Sequence, residues 1–280
     1  MESSSYPSDF ASIRTPEDPL VATDLAEKGF SLVKVLDDQR NDEILSMFWD
    51  WLEEYSPKLD RNDSTTWDNW HWPRNSNGIL FDKSVGQAPF MWRARQQEEI
   101  IRTFGNIWNV SNDELITSFD GACMHRPIEK FPQPYRFPWE HVDQNYWVYP
   151  EFQNCQGLLN LVDSGSEDGG LVVYPYSHRQ FGDYFERRCS KKTAKRANPH
   201  YIEINQEDDI LQPQKGLPNS GRFKVNAPKG TLLLWDSRTV HCNSYADDTR
   251  DFQEYDKFRA CCYICMKPKA LATDKDLKKR

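Results

Sequence analysis

Two histidines and one aspartate have the clearest chemical potential in this sequence, because imidazole and carboxylate groups bind metal ions. His141 and Asp143 form a His-x-Asp pair, and His241 follows one hundred positions later. Two imidazoles and one carboxylate can occupy one face of an octahedral iron ion and leave three positions open for a co-substrate and oxygen. The pattern therefore predicts an oxygen-activating enzyme. Zinc accepts the same donors with an open position, so a zinc hydrolase or isomerase is an alternative.

The segments around these residues must bring the three side chains to one point. If residues 140–149 are extended, His141 and Asp143 point to the same face of the strand. Trp147 and Tyr149 then share that face, and we expect them to line the pocket. His241 follows an apolar run that predicts a buried strand, Leu-Leu-Leu-Trp, and a histidine just past a strand end can reach into the mouth of a barrel. The alternative is that each histidine packs in the core or lies on the surface.

The N-terminal part of the chain predicts a flexible arm at residues 1–20 and a helical layer over residues 21–114. The arm is polar and interrupted by proline. Apolar residues recur at helical spacing in the layer, and glycine and proline mark where its helices end. The predicted elements are a helix at 23–28 that is capped by Thr23 and ended by Gly29, a strand at 30–36, a helix that ends at Pro57, and a helix at 93–108.

An irregular, tryptophan-rich segment at residues 59–92 interrupts this layer. Its large side chains can form a lid or a wall over the substrate, or they can belong to the core. Both interpretations stay open, and the side chains concerned are Trp67, Trp70, Trp72, Met91 and Trp92.

From Leu115 onward, short apolar runs are separated by clusters of Gly, Pro, Asp and Ser. Many short strands broken by turn residues predict a β-sandwich or a double-sheet roll over residues 115–268. The segment at about 180–220 is basic, then acidic, and contains proline, which indicates an insertion that is partly helical at its start. There is no internal repeat and no linker. We therefore expect one domain over residues 1–280, mainly β, with an N-terminal helical layer.

Composition excludes several classes of partner. The formal net charge of -8 disfavours nucleic-acid binding, which needs a basic face. No run approaches the roughly 20 apolar residues that span a membrane, and the N-terminus lacks the features of a secretory signal. Seven cysteines, mostly scattered, fit free thiols in a reducing compartment, so we expect a cytoplasmic protein. Cys262 and Cys265 lie three apart in a predicted strand and face opposite sides, which argues against a zinc or redox pair.

The order of the motifs points to a family. A His-x-Asp is followed by an acidic, Gly-rich turn and a Pro-x-Ser-His element, then by an apolar run before the distal histidine, and last by an arginine that opens a strand. The corresponding segments are 141–143, 167–178, 229–235 with His241, and 259–264. This order resembles the phytanoyl-CoA dioxygenase branch of the Fe(II)/2-oxoglutarate-dependent oxygenases. The resemblance covers about residues 115–266.

The resemblance implies a double-stranded β-helix of the jelly-roll or cupin type, with iron inside. The two histidines and the aspartate would hold Fe(II), and 2-oxoglutarate would chelate the metal through its keto acid end. Its far carboxylate needs a cation, and the planar fork of arginine pairs well with a carboxylate. Arg259 opens an apolar strand and is the preferred partner, whereas Arg250 lies in a polar run typical of an exposed loop. Asn243 occupies the place of a hydroxyl that lies near the co-substrate in relatives.

The reaction that the resemblance implies is oxidation of a small molecule by O₂, with release of succinate and CO₂. Related halogenases lack the ligand carboxylate, so Asp143 indicates hydroxylation, desaturation or cyclisation. No catalytic residue is predicted beyond the metal ligands. Asp120 and Arg126 are candidates to contact a charged substrate, and we expect an amino acid or a biosynthetic intermediate. The alternative from another class is a non-catalytic β-roll that binds a small ligand. The sequence makes no prediction of oligomeric state.

Overall fold

Helices and short strands alternate along the part of the chain that the computed structural model describes. The described residues are 10–68, 70–73, 75–80, 82–127, 131, 139–188, 201–247, 258–272, 274 and 277. The helices are α1 (Leu20–Lys28), α2 (Asp38–Tyr55), α3 (Pro89–Arg95), α4 (Glu98–Trp108) and α5 (Phe181–Arg188). The strands are β1 (Ile13–Arg14), β2 (Phe30–Lys34), β3 (Asn75–Ser76), β4 (Ile79–Leu80), β5 (Leu115–Thr117), β6 (Ala122–His125), β7 (His141–Val142), β8 (Cys155–Asn160), β9 (Gly170–Val173), β10 (Ile202–Glu203), β11 (Phe223–Lys224), β12 (Thr231–Asp236), β13 (His241–Ser244) and β14 (Arg259–Pro268).

The described strands form two sheets. The larger sheet has the order β1-β2-β12-β8-β14-β6-β4-β3, with β5 paired to β14, and the smaller sheet has the order β10-β7-β13-β9-β11. Both sheets contribute side chains to one buried cluster, with Leu158, Trp235 and Cys261 from the larger sheet and Leu171 and Val173 from the smaller. The sheets therefore share an interior. This is the double-stranded β-helix core that the sequence predicts.

Strand β12 is apolar at four successive positions because both of its faces are covered. Leu232 and Leu234 pack in the cluster that contains the helices, whereas Leu233 and Trp235 pack in the interior between the sheets. Successive side chains of a strand point to opposite faces. A strand that is covered on both faces therefore reads as a continuous apolar run.

Strand β14 alternates in the same way. Cys262 and Ile264 pack against the helical layer, whereas Cys261 and Tyr263 belong to the interior cluster. Cys265 lies on the interior side as well, where it lines a cavity. The prediction that Cys262 and Cys265 face opposite sides of a strand is confirmed.

The helical layer covers the outer face of the larger sheet. Helix α2 begins after Asp37, whose carboxylate accepts a hydrogen bond of 2.8 Å from the backbone N–H of Arg40. Its apolar face buries Ile44, Phe48 and Leu52 in the cluster that this layer shares with the sheet. The tryptophan-rich segment adds to the same cluster, since three of its large side chains are buried there, Trp67, Trp72 and Met91. Trp70 is instead 92% exposed.

The structure corrects three predictions for the N-terminal part. Residues 10–20 are not a flexible arm, because Phe10 is buried and β1 pairs in parallel with β2. Helix α1 begins at Leu20 rather than at residue 23, although it ends at Gly29 as predicted. The helix predicted at 93–108 is two helices, because Gln97 adopts an extended backbone (φ -67°, ψ 124°) between α3 and α4.

The predicted insertion at 180–220 begins with α5, which confirms its helical start. Residues 189–200 lie outside the described residues. After them, β10 pairs with β7 so that Ile202 lies opposite Val142 and Glu203 lies opposite His141. The insertion is therefore attached directly to the strand of a predicted metal ligand. No helix in the described ranges is long and apolar enough to cross a membrane. That residues 1–280 form a single domain stays a prediction.

Candidate metal centre

Strand pairing brings the three predicted ligands together. His141 opens β7, His241 opens β13, and these two residues lie directly opposite each other in the antiparallel pair. Their ring centroids are 4.3 Å apart. The Nε2 atoms of His141 and His241 lie 3.6 Å and 3.3 Å from the two carboxylate oxygens of Asp143. One ligand atom from each residue can be chosen so that all lie within 4.8 Å of one another, as one metal ion requires.

The remaining nitrogen of each imidazole fixes its orientation. His141 Nδ1 lies 2.7 Å from the carbonyl oxygen of Trp139, and His241 Nδ1 lies 2.9 Å from that of Thr239. A carbonyl oxygen can only accept a hydrogen bond, so each Nδ1 carries the proton and donates it. Each Nε2 therefore keeps a lone pair for a metal, which is the usual arrangement of a ligating histidine.

The protonation states also suit metal binding. Burial, reinforced by nearby His241, lowers the pKa of His141 to about 4. Burial raises the pKa of Asp143, but His241, His141 and a hydrogen bond from Gln156 outweigh it and lower the pKa to about 2. At neutral pH, His141 is therefore neutral and Asp143 is ionised. These are the forms that donate electron pairs to a metal.

Arg259 opens β14 and lies in the interior, where it is only 5% exposed. Its Nη2 donates a hydrogen bond of 3.1 Å to Oδ1 of Asn243, and the Asn243 amide in turn donates to the hydroxyl of Tyr263 at 2.8 Å. The Nε atom of Arg259 and the Nδ1 atom of His125, directly opposite on β6, are buried and have no hydrogen-bond partner among the described residues. A buried guanidinium with an unpaired donor is suited to an anionic ligand. The alternative, Arg250, lies outside the described residues.

A cavity of about 310 Å³ opens beside the three ligand residues. Asn243 and Tyr263 also line it, so the cavity extends from the triad to Asn243, which contacts Arg259, whereas Arg259 itself is not among the lining residues. Gln156 forms part of its wall and donates a hydrogen bond of 2.7 Å from Nε2 to Asp143 Oδ2. The donor set of two imidazoles and a carboxylate, with an open side toward a cavity, fits Fe(II).

Two aromatic residues that were not predicted from the sequence contact the ring of His141. Trp139 stacks on its ring at 4.7 Å between centroids, and Tyr201 contacts it at 4.8 Å. Both line the cavity. Trp139 lies two residues before His141 and could have been found from that spacing. Tyr201 directly precedes β10 and reaches the site only because β10 pairs with β7, so no local pattern indicates it.

The structure brings one of the four predicted substrate residues to the cavity. Asp120 lines it, whereas Arg126 lies elsewhere, with its guanidinium 5.2 Å from the ring centroid of Trp72 and bonded to the carbonyl oxygen of Trp67. The expectation of a strand over residues 140–149 is wrong, because β7 ends at Val142 and the chain then turns. Trp147 and Tyr149 are therefore not among the residues that line the cavity.

The fold and the donor set together define the class of non-heme iron oxygenases. Comparison with known proteins gives the family. The model of the phytanoyl-CoA dioxygenase (PhyH) family matches residues 42–249. Ava biosynthesis cluster protein O of Aspergillus versicolor is 31% identical over 234 residues, which cover 81% of this chain and 70% of that protein. The chain belongs to the phytanoyl-CoA dioxygenase family.

Two solved structures have a similar fold at low sequence identity. The non-heme alpha ketoglutarate dependent carbocyclase SnoK from nogalamycin biosynthesis has a TM-score of 0.56 and 13% identity, covering 91% of this chain and 87% of that chain. Iron-bound EctD from S. alaskensis has a TM-score of 0.55 and 12% identity, covering 93% and 80%. The predicted family and enzyme class are confirmed: the chain is an Fe(II)- and 2-oxoglutarate-dependent dioxygenase. Family membership sets aside the zinc hydrolase and the non-catalytic roll.

Proposed function

We propose that this enzyme oxidises a C–H bond of a small molecule, an amino acid or a biosynthetic intermediate, by hydroxylation, desaturation or cyclisation. His141, Asp143 and His241 are the iron ligands, and Arg259 with Asn243 holds the far carboxylate of 2-oxoglutarate. The cross-strand placement of the two histidines, with both Nε2 atoms directed at Asp143, carries this proposal. That the enzyme is cytoplasmic stays a prediction.

The bound iron supplies the chemistry in which one oxygen atom of O₂ enters succinate and the other oxidises the substrate, with release of CO₂. The chain's own residues position and protect that centre. Gln156 holds one oxygen of the Asp143 carboxylate and so restricts its rotation. Trp139 and Tyr201 pack against the His141 ring, which is only 5% exposed, and so limit the access of water to it.

Arg259 and Asn243 would bind the far carboxylate of 2-oxoglutarate. The buried guanidinium of Arg259, beside the cavity residue Asn243, would neutralise the far carboxylate of 2-oxoglutarate, and its planar fork would pair with that carboxylate. Asn243 contacts Arg259 and lines the cavity, so it holds the guanidinium in place. Because the ligand carboxylate of Asp143 is present, we propose oxidation rather than halogenation.

The proposal is tested by adding Fe(II) and then 2-oxoglutarate to the protein without oxygen. We expect a weak visible charge-transfer band, which is lost in His141→Ala. The matched control is His71→Ala, because His71 lies on the surface segment beside Asp68 and outside the cavity. Loss of the band in both variants, or no band and no succinate in air with the unaltered protein, would contradict the proposal.

A further inference from the structure

We propose that the substrate carries a cationic group, an ammonium or a guanidinium, which binds to Asp120 at the mouth of the cavity. This inference rests on the proposed function, because it concerns the molecule that the iron centre oxidises. Asp120 lines the same cavity as the three ligand residues, and its side chain is exposed. It is therefore accessible to a molecule that enters from solvent toward the metal.

The loop that carries Asp120 is held firmly. Arg95, only 2% exposed, donates hydrogen bonds of 2.7 Å to the carbonyl oxygen of Asp120 and of 2.6 Å to that of Gly86. Gly121 leaves no room for a larger residue, since an added Cβ would lie 2.8 Å from the carbonyl oxygen of Leu80. These contacts hold the backbone, and the exposed carboxylate accepts a hydrogen bond from Ser118. A charge on a rigid loop recognises a ligand at little entropic cost.

The chemistry of the cavity favours a cation. Among the described residues that line it, Asp120 and Asp143 are the acidic side chains, and lysine and arginine are absent. The positive charges of Fe(II) and Arg259 match the negative charges of Asp143 and 2-oxoglutarate, so the loaded centre adds no net charge. Asp120 is then the acidic side chain of the described lining that does not belong to the metal centre.

The aromatic walls support the same conclusion. Trp139, Tyr201 and Trp235 all line the cavity, and an aromatic ring face attracts an ammonium or a guanidinium. The cavity of about 310 Å³ lies at the small end of ligand sites and must also hold 2-oxoglutarate. A compact amine fits these limits. An acyl-CoA thioester, with its several phosphate charges, would meet a carboxylate at the entrance.

The test uses small amines and guanidines paired with neutral analogues, including butylguanidine with butylurea and tryptamine with N-acetyltryptamine, and hexanoyl-CoA as the anionic probe. Stimulated succinate release is measured with the iron-loaded enzyme, and equilibrium binding is measured by calorimetry. We expect the cationic members to bind and stimulate more strongly than their neutral analogues. In Asp120→Asn the affinity for the preferred cation falls by about tenfold or more, as for loss of a charged hydrogen bond, while the neutral analogue is unaffected.

The matched control is Asp209→Asn, which removes an exposed carboxylate that pairs with Arg187 outside the cavity. Three outcomes would overturn the inference. Cations and their neutral partners bind equally well, the enzyme prefers hexanoyl-CoA, or the Asp120→Asn variant behaves like Asp209→Asn. The charge-transfer band with Fe(II) and 2-oxoglutarate separates the two proposals. If the band forms but cations are not preferred, the proposed function stands and the substrate inference fails.

Discussion

The triad end and the Arg259 end of the same interior differ in how completely their ionisable side chains are paired. At the triad, both imidazole Nδ1 atoms donate to backbone carbonyls and Gln156 Nε2 donates to Asp143, although Gln156 Oε1 is itself buried without a partner among the described residues. At the other end, Arg259 Nε and His125 Nδ1 are buried without a partner among the described residues. Buried polar groups are costly unless they are paired. The comparison indicates that the protein itself prepares the metal end, whereas a ligand completes the Arg259 end.

The largest expected effect concerns the Arg259 end. Replacing Arg259 with lysine keeps the charge but removes the planar fork, so the affinity for 2-oxoglutarate should fall by about 100-fold, within the range measured for truncated buried charge pairs. Fe(II) binding should be unchanged, because the ligand residues are not altered. Titrating 2-oxoglutarate into the iron-loaded protein and following the visible band measures the co-substrate affinity, and competition with a chelator measures the Fe(II) affinity.

The control for this prediction is Arg93→Lys, since Arg93 makes an exposed pair with Glu43 on the surface. Equal co-substrate affinity in Arg259→Lys and the unaltered protein would remove the distinction between the two ends. Loss of iron binding in Arg259→Lys would instead show that the two ends fold as one unit.

The second-largest expected effect concerns the triad end and the stability of the metal-free protein. The pKa of His141 is lowered from 6.5 to about 4 by burial, so the folded protein binds this proton more weakly than the unfolded chain does. The stabilisation from neutral His141 is therefore complete above pH 6.5 and is lost as the pH falls toward 4. Between pH 7.5 and 5, the metal-free protein should lose about 2 kcal/mol of its free energy of unfolding from this residue.

Urea unfolding of the metal-free protein at several pH values checks this prediction. His141→Gln removes the titrating group, so its free energy of unfolding should vary less with pH over the same window. Asp143 does not interfere, because its pKa is lowered to about 2 and its contribution is lost only below pH 3.8. If the free energy of unfolding varied equally with pH in the two proteins, protonation of buried His141 would not destabilise the folded state.

Parts of both ends could be predicted because their information is local. Alternation along β12 and β14 predicts which side chains face the interior, and at the Arg259 end Arg259 opens a strand whose inward positions are fixed by that alternation. The His-x-Asp spacing identifies His141 and Asp143 as a candidate ligand pair, although the extended strand that was expected to align them ends at Val142. Their meeting with His241 depends on the pairing of β7 with β13, which the order of motifs in the family implies.

The rim of the cavity could not be predicted because its contacts are long-range or depend on turns. Tyr201 reaches His141 through a pairing between strands of two residues each, which no periodic pattern indicates. Trp147 and Tyr149 fail as pocket residues because the Gln144 amide donates to the carbonyl oxygens of Tyr149 and Glu151 and closes a turn. A continued strand would have required those carbonyls to pair elsewhere.

The smallest expected effect tests how far Fe(II) binding at the triad end depends on residues other than the three ligands. Gln156 lies directly opposite Trp235 in the β8–β12 pair, and its amide donates to Asp143 Oδ2 at 2.7 Å. Removing this bond in Gln156→Leu frees the carboxylate to rotate, and Fe(II) affinity should fall by about tenfold, the lower end of the range for residues that support metal ligands.

A second variant, Gln156→Glu, places another carboxylate beside Asp143. Repulsion between the two carboxylates should displace the Asp143 ligand, and the Fe(II) affinity of this variant should depend on pH. Competition with a chelator measures the affinity, and Gln212→Leu, outside the cavity, is the control. If Gln156→Leu binds Fe(II) as tightly as the control, the backbone bonds of the two imidazoles are sufficient to prepare the site, and the contrast with the Arg259 end depends on the histidines alone.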